Sequence, residues 1–222
     1  MWIGKFKIKH ECFILSKLDH NPIKVLAYVL GVHEDKNSLY YTTFLIPVGR
    51  EENIQKFIFD MKHDPQVINL EEMHNQLITL TKVAKNKKHV SSEFSHELFL
   101  VEPILHEDSH EYWHLASWSR EKLVEFYNKT REIGEVEILK LCEEKPRDIF
   151  YPRIMPSLSL QQKKAFDVAV EFGYYDHPQK IYLEELAKVM NVSRMAYREH
   201  LRKAESKLFP FFAHSLPPNK CK

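Results

Sequence analysis

Hydrophobic and polar residues follow a strand-like pattern in the first two thirds of the chain and a helical one after it. Alternating or β-branched runs predict strands at residues 5–8, 23–32, 39–48, 67–83, 98–105 and 112–118. Apolar stripes at helical spacing predict helices over residues 52–62 and 120–133. The amino-terminal part is therefore predicted to mix strands and helices.

The order of these predicted elements repeats. A strand that ends near residue 48 is followed by a helix and by a strand from Val67. A strand that ends near Trp118 is followed by a helix and by a strand from Glu135. We predict two related α+β units, ferredoxin-like or ACT-like, whose antiparallel sheet packs its helices on one face.

Residues 159–209 predict three short helices instead. Ser159 and Gln162 have the spacing of a capping box, and the helix that they start would end at Gly173. Its apolar stripe is Leu160, Ala165, Phe166, Ala169 and Phe172. Asn191 suits the left-handed backbone of a tight turn, and Ser193 suits the cap of the next helix. The two helices around this turn have inward residues at Leu186, Ala187, Val192, Tyr197, Leu201 and Ala204, which is the pattern of a helix-turn-helix.

The predicted last helix, residues 193–208, has a charged outer face. An α-helix fits the DNA major groove, where Arg can donate two hydrogen bonds to guanine and Glu can accept one from cytosine. Arg198, Glu199 and Arg202 are the candidate base readers, and Ser193 and Arg194 are placed to hold a phosphate. The predicted DNA-binding residues are Ser193, Arg194, Met195, Arg198, Glu199, Arg202 and Lys203. The alternative is that these charges only solvate a surface helix.

Charge is divided unevenly along the 222 residues. From Tyr151 onward there are twelve Lys and Arg against seven Asp and Glu. Residues 1–150 contain the other twenty Lys and Arg and twenty-four Asp and Glu. A total charge of +1 therefore hides a basic carboxy-terminal segment, as expected for a nucleic-acid partner.

Four stretches of this segment form a long, spaced pattern: LSLQQKKAFDVA at 158–169, EFGYYDHPQKI at 171–181, LEELA at 183–187 and VSRMAYREHLRKAE at 192–205. With this pattern, roughly residues 156–212 resemble the bacterio-opsin activator type of helix-turn-helix domain found in archaeal transcription regulators. Gln179 stands where the family usually has Arg, and Met195, Ala196 and Tyr197 stand where it has Ser-Thr-Val. The resemblance implies a sensory or regulatory amino-terminal region, but no base preference is carried over. The neighbouring Tyr174 and Tyr175 are predicted to pack over the three-helix core.

The predicted fold class is α+β, with an amino-terminal antiparallel-sheet domain followed by a three-helix domain. We place the first domain, sensory or dimerising, at residues 1–148 and the DNA-binding domain at 158–215. The linker at 149–157 lies in a proline-rich stretch that contains Pro146, Pro152 and Pro156.

For metal, disulfide and catalytic sites, the histidines and cysteines of the chain are the residues to consider. His106, His110 and His114 are spaced four apart and are the candidates for a transition-metal site, but the preferred interpretation is a polar hairpin connection between strands, with His114 facing outward. The cysteines Cys12, Cys142 and Cys221 are far apart, which favours neither a zinc motif nor a disulfide framework; Cys12 and Cys142 are predicted as small buried residues, with a redox pair as the alternative. We expect no resident cofactor, and no catalytic motif is present, so an enzyme is not expected.

The sequence therefore predicts a transcription regulator that binds double-stranded DNA as a homodimer. Its amino-terminal domain would sense a small-molecule effector or mediate pairing. No apolar run is long enough to span a bilayer and the charged start is no signal peptide, so we expect a cytoplasmic protein without a membrane partner. The alternative is a protein-interaction module that docks on RNA polymerase or a basal factor without reading bases.

Overall fold

The computed structural model describes residues 1–85, 89–145, 156 and 158–213. The chain divides into two compact units, Met1–Arg153 and Ile154–Lys222. Apart from Pro156, the predicted linker at 149–157 lies outside the described residues, as does Cys221. None of the helices in the described ranges is both long and apolar enough to cross a membrane.

The amino-terminal unit is built from nine strands and three helices within the described residues. The strands are β1 (Trp2–Lys9), β2 (Lys24–Glu34), β3 (Ser38–Val48), β4 (Val67–Met73), β5 (Gln76–Ala84), β6 (Phe99–Leu100), β7 (Ile104–Glu107), β8 (His110–Ser117) and β9 (Glu135–Glu143). The helices are α1 (Phe13–Leu18), α2 (Glu51–Lys62) and α3 (Arg120–Thr130), with a 3₁₀ turn at Val90–Glu93.

These strands form one antiparallel sheet, as predicted, in the order β4-β5-β3-β2-β7-β8-β1-β9, with β6 paired to β8. The two strand-helix-strand units are also confirmed, as β3-α2-β4 and β8-α3-β9. In each unit one antiparallel strand lies between the outer two, β5 in one and β1 in the other. The unit around α3 is thus completed by the first strand of the chain, and the backbone N–H of Glu144 donates to the carbonyl oxygen of Met1 at 2.9 Å.

Two predicted strands are interrupted. Residues 67–83 form a hairpin rather than one strand, because His74 and Asn75 take positive φ values of 51° and 63° at a two-residue turn. The run at 98–105 is divided around Pro103 into β6 and β7, in keeping with the lack of a backbone donor on proline.

One apolar core joins the sheet to the helices. Phe6 of β1 and Trp113 of β8 are almost fully buried, and both rings contact Phe126 of α3, with centroids 5.4 and 5.6 Å apart. The same core contains Phe57 of α2 and Ile14 of α1. Residues from all three helices share one core with the sheet, which gives the sheet a helix-covered face.

The carboxy-terminal unit contains α4 (Leu160–Glu171), α5 (Leu183–Val189) and α6 (Arg194–Ala213), so the three predicted helices are confirmed. The buried core consists of Ala165, Val168, Ala169, Leu186, Ala187, Met190, Tyr197 and Leu201. The predicted stripe of α4 was wrong at both ends, where Leu160 is 79% and Phe172 42% exposed. Leu160 lies about 140° and 180° around the helix from the core residues Ala165 and Ala169, since each residue advances about 100°. Phe172 lies just beyond the last helical residue.

Candidate nucleic-acid interface

The turn between α5 and α6 is fixed by its own backbone and side-chain bonds. Asn191 takes a positive φ of 53°, and the backbone N–H of Val192 donates to the carbonyl oxygen of Ala187 at 3.0 Å. The hydroxyl oxygen of Ser193 then accepts a hydrogen bond from the backbone N–H of Ala196 at 3.1 Å. The predicted left-handed turn and the predicted helix cap are both confirmed, and they set the direction in which α6 leaves the turn.

Two tyrosines fix α6 against the rest of the three-helix unit. The hydroxyl of Tyr197 donates to the carbonyl oxygen of Ala165 in α4 at 2.8 Å, and the whole side chain is buried. Tyr175 donates to Glu205 Oε1 at 2.6 Å from the loop after α4. Its ring also contacts Phe166 and Tyr174, with centroids 5.8 and 5.1 Å apart. Tyr174 packs against the core as predicted, whereas Tyr175 is 41% exposed and covers the edge of the core through these two ring contacts.

The outer face of α6 is open to solvent. All seven predicted DNA-binding residues are exposed, and the Met195 side chain reaches 79% exposure although it is apolar. An exposed thioether among charged side chains contributes nothing to the core and is available for contact with a partner. The structure thus places six of the seven residues at exposed positions of α6, with Ser193 as the cap before them, while their contact with DNA remains a prediction.

Three of these side chains are held in two ion pairs. Arg194 Nε lies 2.8 Å from Glu184 Oε1 of α5, and Lys203 Nζ lies 2.6 Å from Glu199 Oε1 one turn earlier. The Lys203 ammonium lowers the pKa of the Glu199 carboxyl, which is therefore an ionised acceptor at neutral pH. Ion pairs between exposed side chains contribute little to stability, so both can be exchanged for contacts with a nucleic acid.

Three arginines spaced one turn apart line a groove of about 330 Å³ beside α6. Arg194, Arg198 and Arg202 form one wall, and the groove is completed by Tyr174, Leu183, Leu201 and Glu205. Over the residues that the structure describes, Arg198 and Arg202 make no ion pair, and Glu205 is engaged by Tyr175. The groove is therefore lined by three arginines against one carboxylate, so its net charge is positive, as phosphate binding requires. The roles of Tyr174 and Glu205 in the groove were missed, because both follow only from the course of the loop after α4.

Comparison with known proteins agrees with this geometry. Residues 158–210 match a protein family described as an HTH DNA binding domain, of the bacterio-opsin activator type. This segment is a helix-turn-helix DNA-binding domain. The match begins two residues before α4 and ends inside α6, so it covers the capping box, the turn and the outer face described above.

A curated relative resembles the same segment. Transcriptional regulator NarO of Haloferax volcanii is 35% identical over 51 residues, which cover 23% of this chain and 24% of the relative. The aligned part is thus about a quarter of either protein. No solved structure matches the chain.

Outside the helix-turn-helix domain, the three spaced histidines do not come together. His106 and His110 lie on opposite sides of a hairpin turn at Asp108 and Ser109, both with positive φ. His106 faces Glu111 across the strand pair and is buried, whereas His110 and His114 point to the other face of β8. The geometry is that of the polar hairpin connection, because the reversal at residues 108–109 breaks the four-residue spacing.

Proposed function

We propose that this protein is a sequence-specific DNA-binding transcription regulator whose helix α6 lies in the major groove. The observation that carries the proposal is the exposed row of arginine and glutamate on α6 within a segment that matches a DNA-binding family. The relative named as a transcriptional regulator supports the step from DNA binding to regulation.

The side chains of α6 have distinct roles in this proposal. Arg198 and Arg202 donate paired hydrogen bonds to guanine O6 and N7, and Glu199 accepts from cytosine N4 after releasing Lys203. Ser193 and Arg194, at the start of α6, contact phosphates, where backbone N–H groups and the helix dipole also favour an anion. Met195 offers an apolar contact to a thymine methyl group, and Lys203 a second phosphate contact.

The surface of one such helix reads only a few base pairs, so we propose a homodimer that reads two half-sites about one helical turn apart. A dimer doubles the readout, and it makes an inverted-repeat operator the expected target. Analytical sedimentation tests this part alone. A monomer at micromolar concentration, both free and with DNA, would reject the dimer and leave the DNA-binding proposal standing.

We further propose that the amino-terminal unit responds to a small-molecule effector. Its support is a cavity of about 520 Å³ beside α1, lined by apolar residues such as Ile104 and Val83 and by polar ones such as Thr43 and Gln66. Small-molecule sites commonly have about 300 to 1,000 Å³ with a few polar groups on an apolar wall.

The test of DNA recognition is selection from random duplexes by the purified full chain at near-physiological salt, followed by sequencing. Enrichment of one motif, and its loss in the double variant Arg198→Ala/Arg202→Ala, supports base readout by α6. A folded protein that enriches nothing would contradict it. The docking module would show weak, sequence-blind affinity, whereas a DNA-binding domain shows differences between sequences and a steep loss of affinity with salt.

A further inference from the structure

Four side chains from distant parts of the sequence meet on one wall of the cavity in the amino-terminal unit. His10 follows strand β1, Cys12 precedes helix α1, and His106 and Glu111 face each other across β7 and β8. The imidazole, thiol and carboxylate donor atoms of His10, Cys12 and Glu111 all lie within 4.8 Å of one another. No other group of this kind occurs within the described residues.

The carboxylate of Glu111 is at the centre of the cluster. Its Oε1 lies 3.0 Å from His10 Nε2 and 3.2 Å from His106 Nε2. Its other oxygen, Oε2, accepts a hydrogen bond from Trp113 Nε1 at 2.7 Å. The side chains of His10, His106 and Glu111 are each at most 6% exposed. The carboxylate is thus held in one orientation, with Oε1 directed toward the two imidazoles.

The two imidazoles are incompletely satisfied. His10 Nε2 is close to Glu111, yet this buried nitrogen has no partner in hydrogen-bond geometry among the described residues. His106 Nδ1 is likewise buried without a hydrogen-bond partner in that part of the chain. A buried polar atom without a hydrogen-bond partner is destabilising, so a closed His–Glu network alone leaves this arrangement unexplained.

We propose that His10, Cys12 and Glu111 bind a divalent transition-metal ion of the Zn²⁺ class. An imidazole, a thiolate and a carboxylate are all ligands that Zn²⁺ accepts, at about 2.0 to 2.3 Å from the ion. Ligand atoms around one tetrahedral ion are then about 3.3 to 3.7 Å apart. The three donor atoms, all within 4.8 Å of one another, are close to this separation. Mg²⁺ and Ca²⁺ are disfavoured, since both prefer oxygen ligands alone.

His106 and Trp113 are positioning residues in this site. Each contacts one oxygen of Glu111, so together they orient the carboxylate toward His10 and Cys12. Three protein ligands leave one position of a tetrahedral ion open, and the cluster borders the cavity. A molecule in the cavity can therefore complete the coordination, as in zinc sites that keep an exchangeable position.

The test is a titration of the purified, metal-free full chain with Zn²⁺ and with Co²⁺ as the spectroscopic probe. We expect one ion per chain and, with Co²⁺, a thiolate-to-metal charge-transfer band together with visible bands of low coordination number. Cys12→Ala should abolish the charge-transfer band, and Cys12→Ala or Glu111→Gln should weaken Zn²⁺ binding by at least about 100-fold.

Matched controls separate this site from surface histidines and cysteines. Cys142→Ser removes the other cysteine of the described residues, and His110→Ala removes an imidazole of the same hairpin that is turned away from the cluster. Both should keep the stoichiometry and the cobalt spectrum, and circular dichroism should confirm that every variant is folded. Absence of stoichiometric uptake, or a thiolate band that survives Cys12→Ala, would overturn the proposal. Neither result depends on DNA binding, so the proposed function is tested separately.

Discussion

The hydroxyl group of Tyr197 donates a hydrogen bond to the carbonyl oxygen of Ala165 and joins the exposed helix α6 to the first helix of its unit. The ring is fully buried between these helices and packs beside Leu201 in the same core. The bond therefore fixes the rotation of α6 about its own axis. That rotation decides which residues of α6 face outward.

Tyr197→Phe should lower the free energy of unfolding of the helix-turn-helix domain by about 1 kcal/mol, because it removes one buried hydrogen bond and keeps the ring. Thermal or denaturant unfolding of the full chain measures this loss. Tyr182→Phe is the control, since the Tyr182 side chain is 65% exposed. Equal stability of the wild type and of Tyr197→Phe would show that the bond does not stabilise the domain.

The same tyrosine predicts a loss of stability at high pH. Burial, with smaller contributions from Tyr174 and Glu205, raises the pKa of Tyr197 to about 12, against about 10 for an unfolded tyrosine. Below about pH 10 Tyr197 keeps its proton in both the folded and the unfolded state, so its contribution to the free energy of unfolding does not change with pH. Between about pH 10 and about pH 12 only the unfolded state releases it, and the free energy of unfolding falls as the pH rises.

Denaturant unfolding at several pH values in this range checks the prediction, with Tyr197→Phe as the control. The variant should show a smaller decline but retain some, because burial and Glu205 also raise the pKa of Tyr175. A wild-type stability that is flat across the window would contradict the assignment.

Leu201→Ala should destabilise the helix-turn-helix domain by about 2 to 5 kcal/mol, because it leaves a cavity in a closely packed core. Leu201 is 3% exposed, whereas Met195 is 79% exposed on the same helix. Met195→Ala is therefore the matched control, with an expected change in unfolding free energy of less than about 0.5 kcal/mol. Similar losses in both variants, measured by denaturant unfolding, would show that the buried face of α6 is assigned wrongly.

Local features of the helix-turn-helix domain were predictable from sequence, because each depends on neighbouring residues. The capping box of Ser159 and Gln162, the left-handed Asn191 and the cap by Ser193 all form as predicted. Core residues near the ends of helices were less predictable. Val168 and Met190 are buried although the apolar stripes omitted them, since the inward face depends on how three helices cross.

The cluster at Glu111 was beyond prediction from sequence for a topological reason. His10 and Glu111 lie about a hundred residues apart and meet only because β1 inserts between β8 and the edge strand β9. Spacing along the chain instead drew attention to His106, His110 and His114, of which only His106 reaches the cluster. The only feature of the sequence that pointed to the cluster is the closely spaced pair His10 and Cys12 after one strand. Two residues alone do not define a metal site.

Base readout by α6 is tested by three arginine substitutions measured on an enriched DNA site and on random duplex. Arg198→Ala and Arg202→Ala should each cost about 1 to 3 kcal/mol on the enriched site, with less effect on random DNA, because guanine contacts depend on sequence. Arg194→Ala should weaken binding to both DNAs alike, since a phosphate contact carries no sequence information.

Arg131→Ala is the control for net charge, because Arg131 lies in the amino-terminal unit over the ring of Tyr127. It removes one positive charge without altering α6. It should therefore have little effect on the affinity for either DNA and leave the ratio of the two affinities unchanged. Equal losses on both DNAs for Arg198→Ala and Arg202→Ala would remove the base-reading role, because those arginines would then act as phosphate contacts. In that case the arginines of the groove beside α6 would contact the phosphate backbone of the DNA. Glu199 would then be the remaining candidate base reader of the helix.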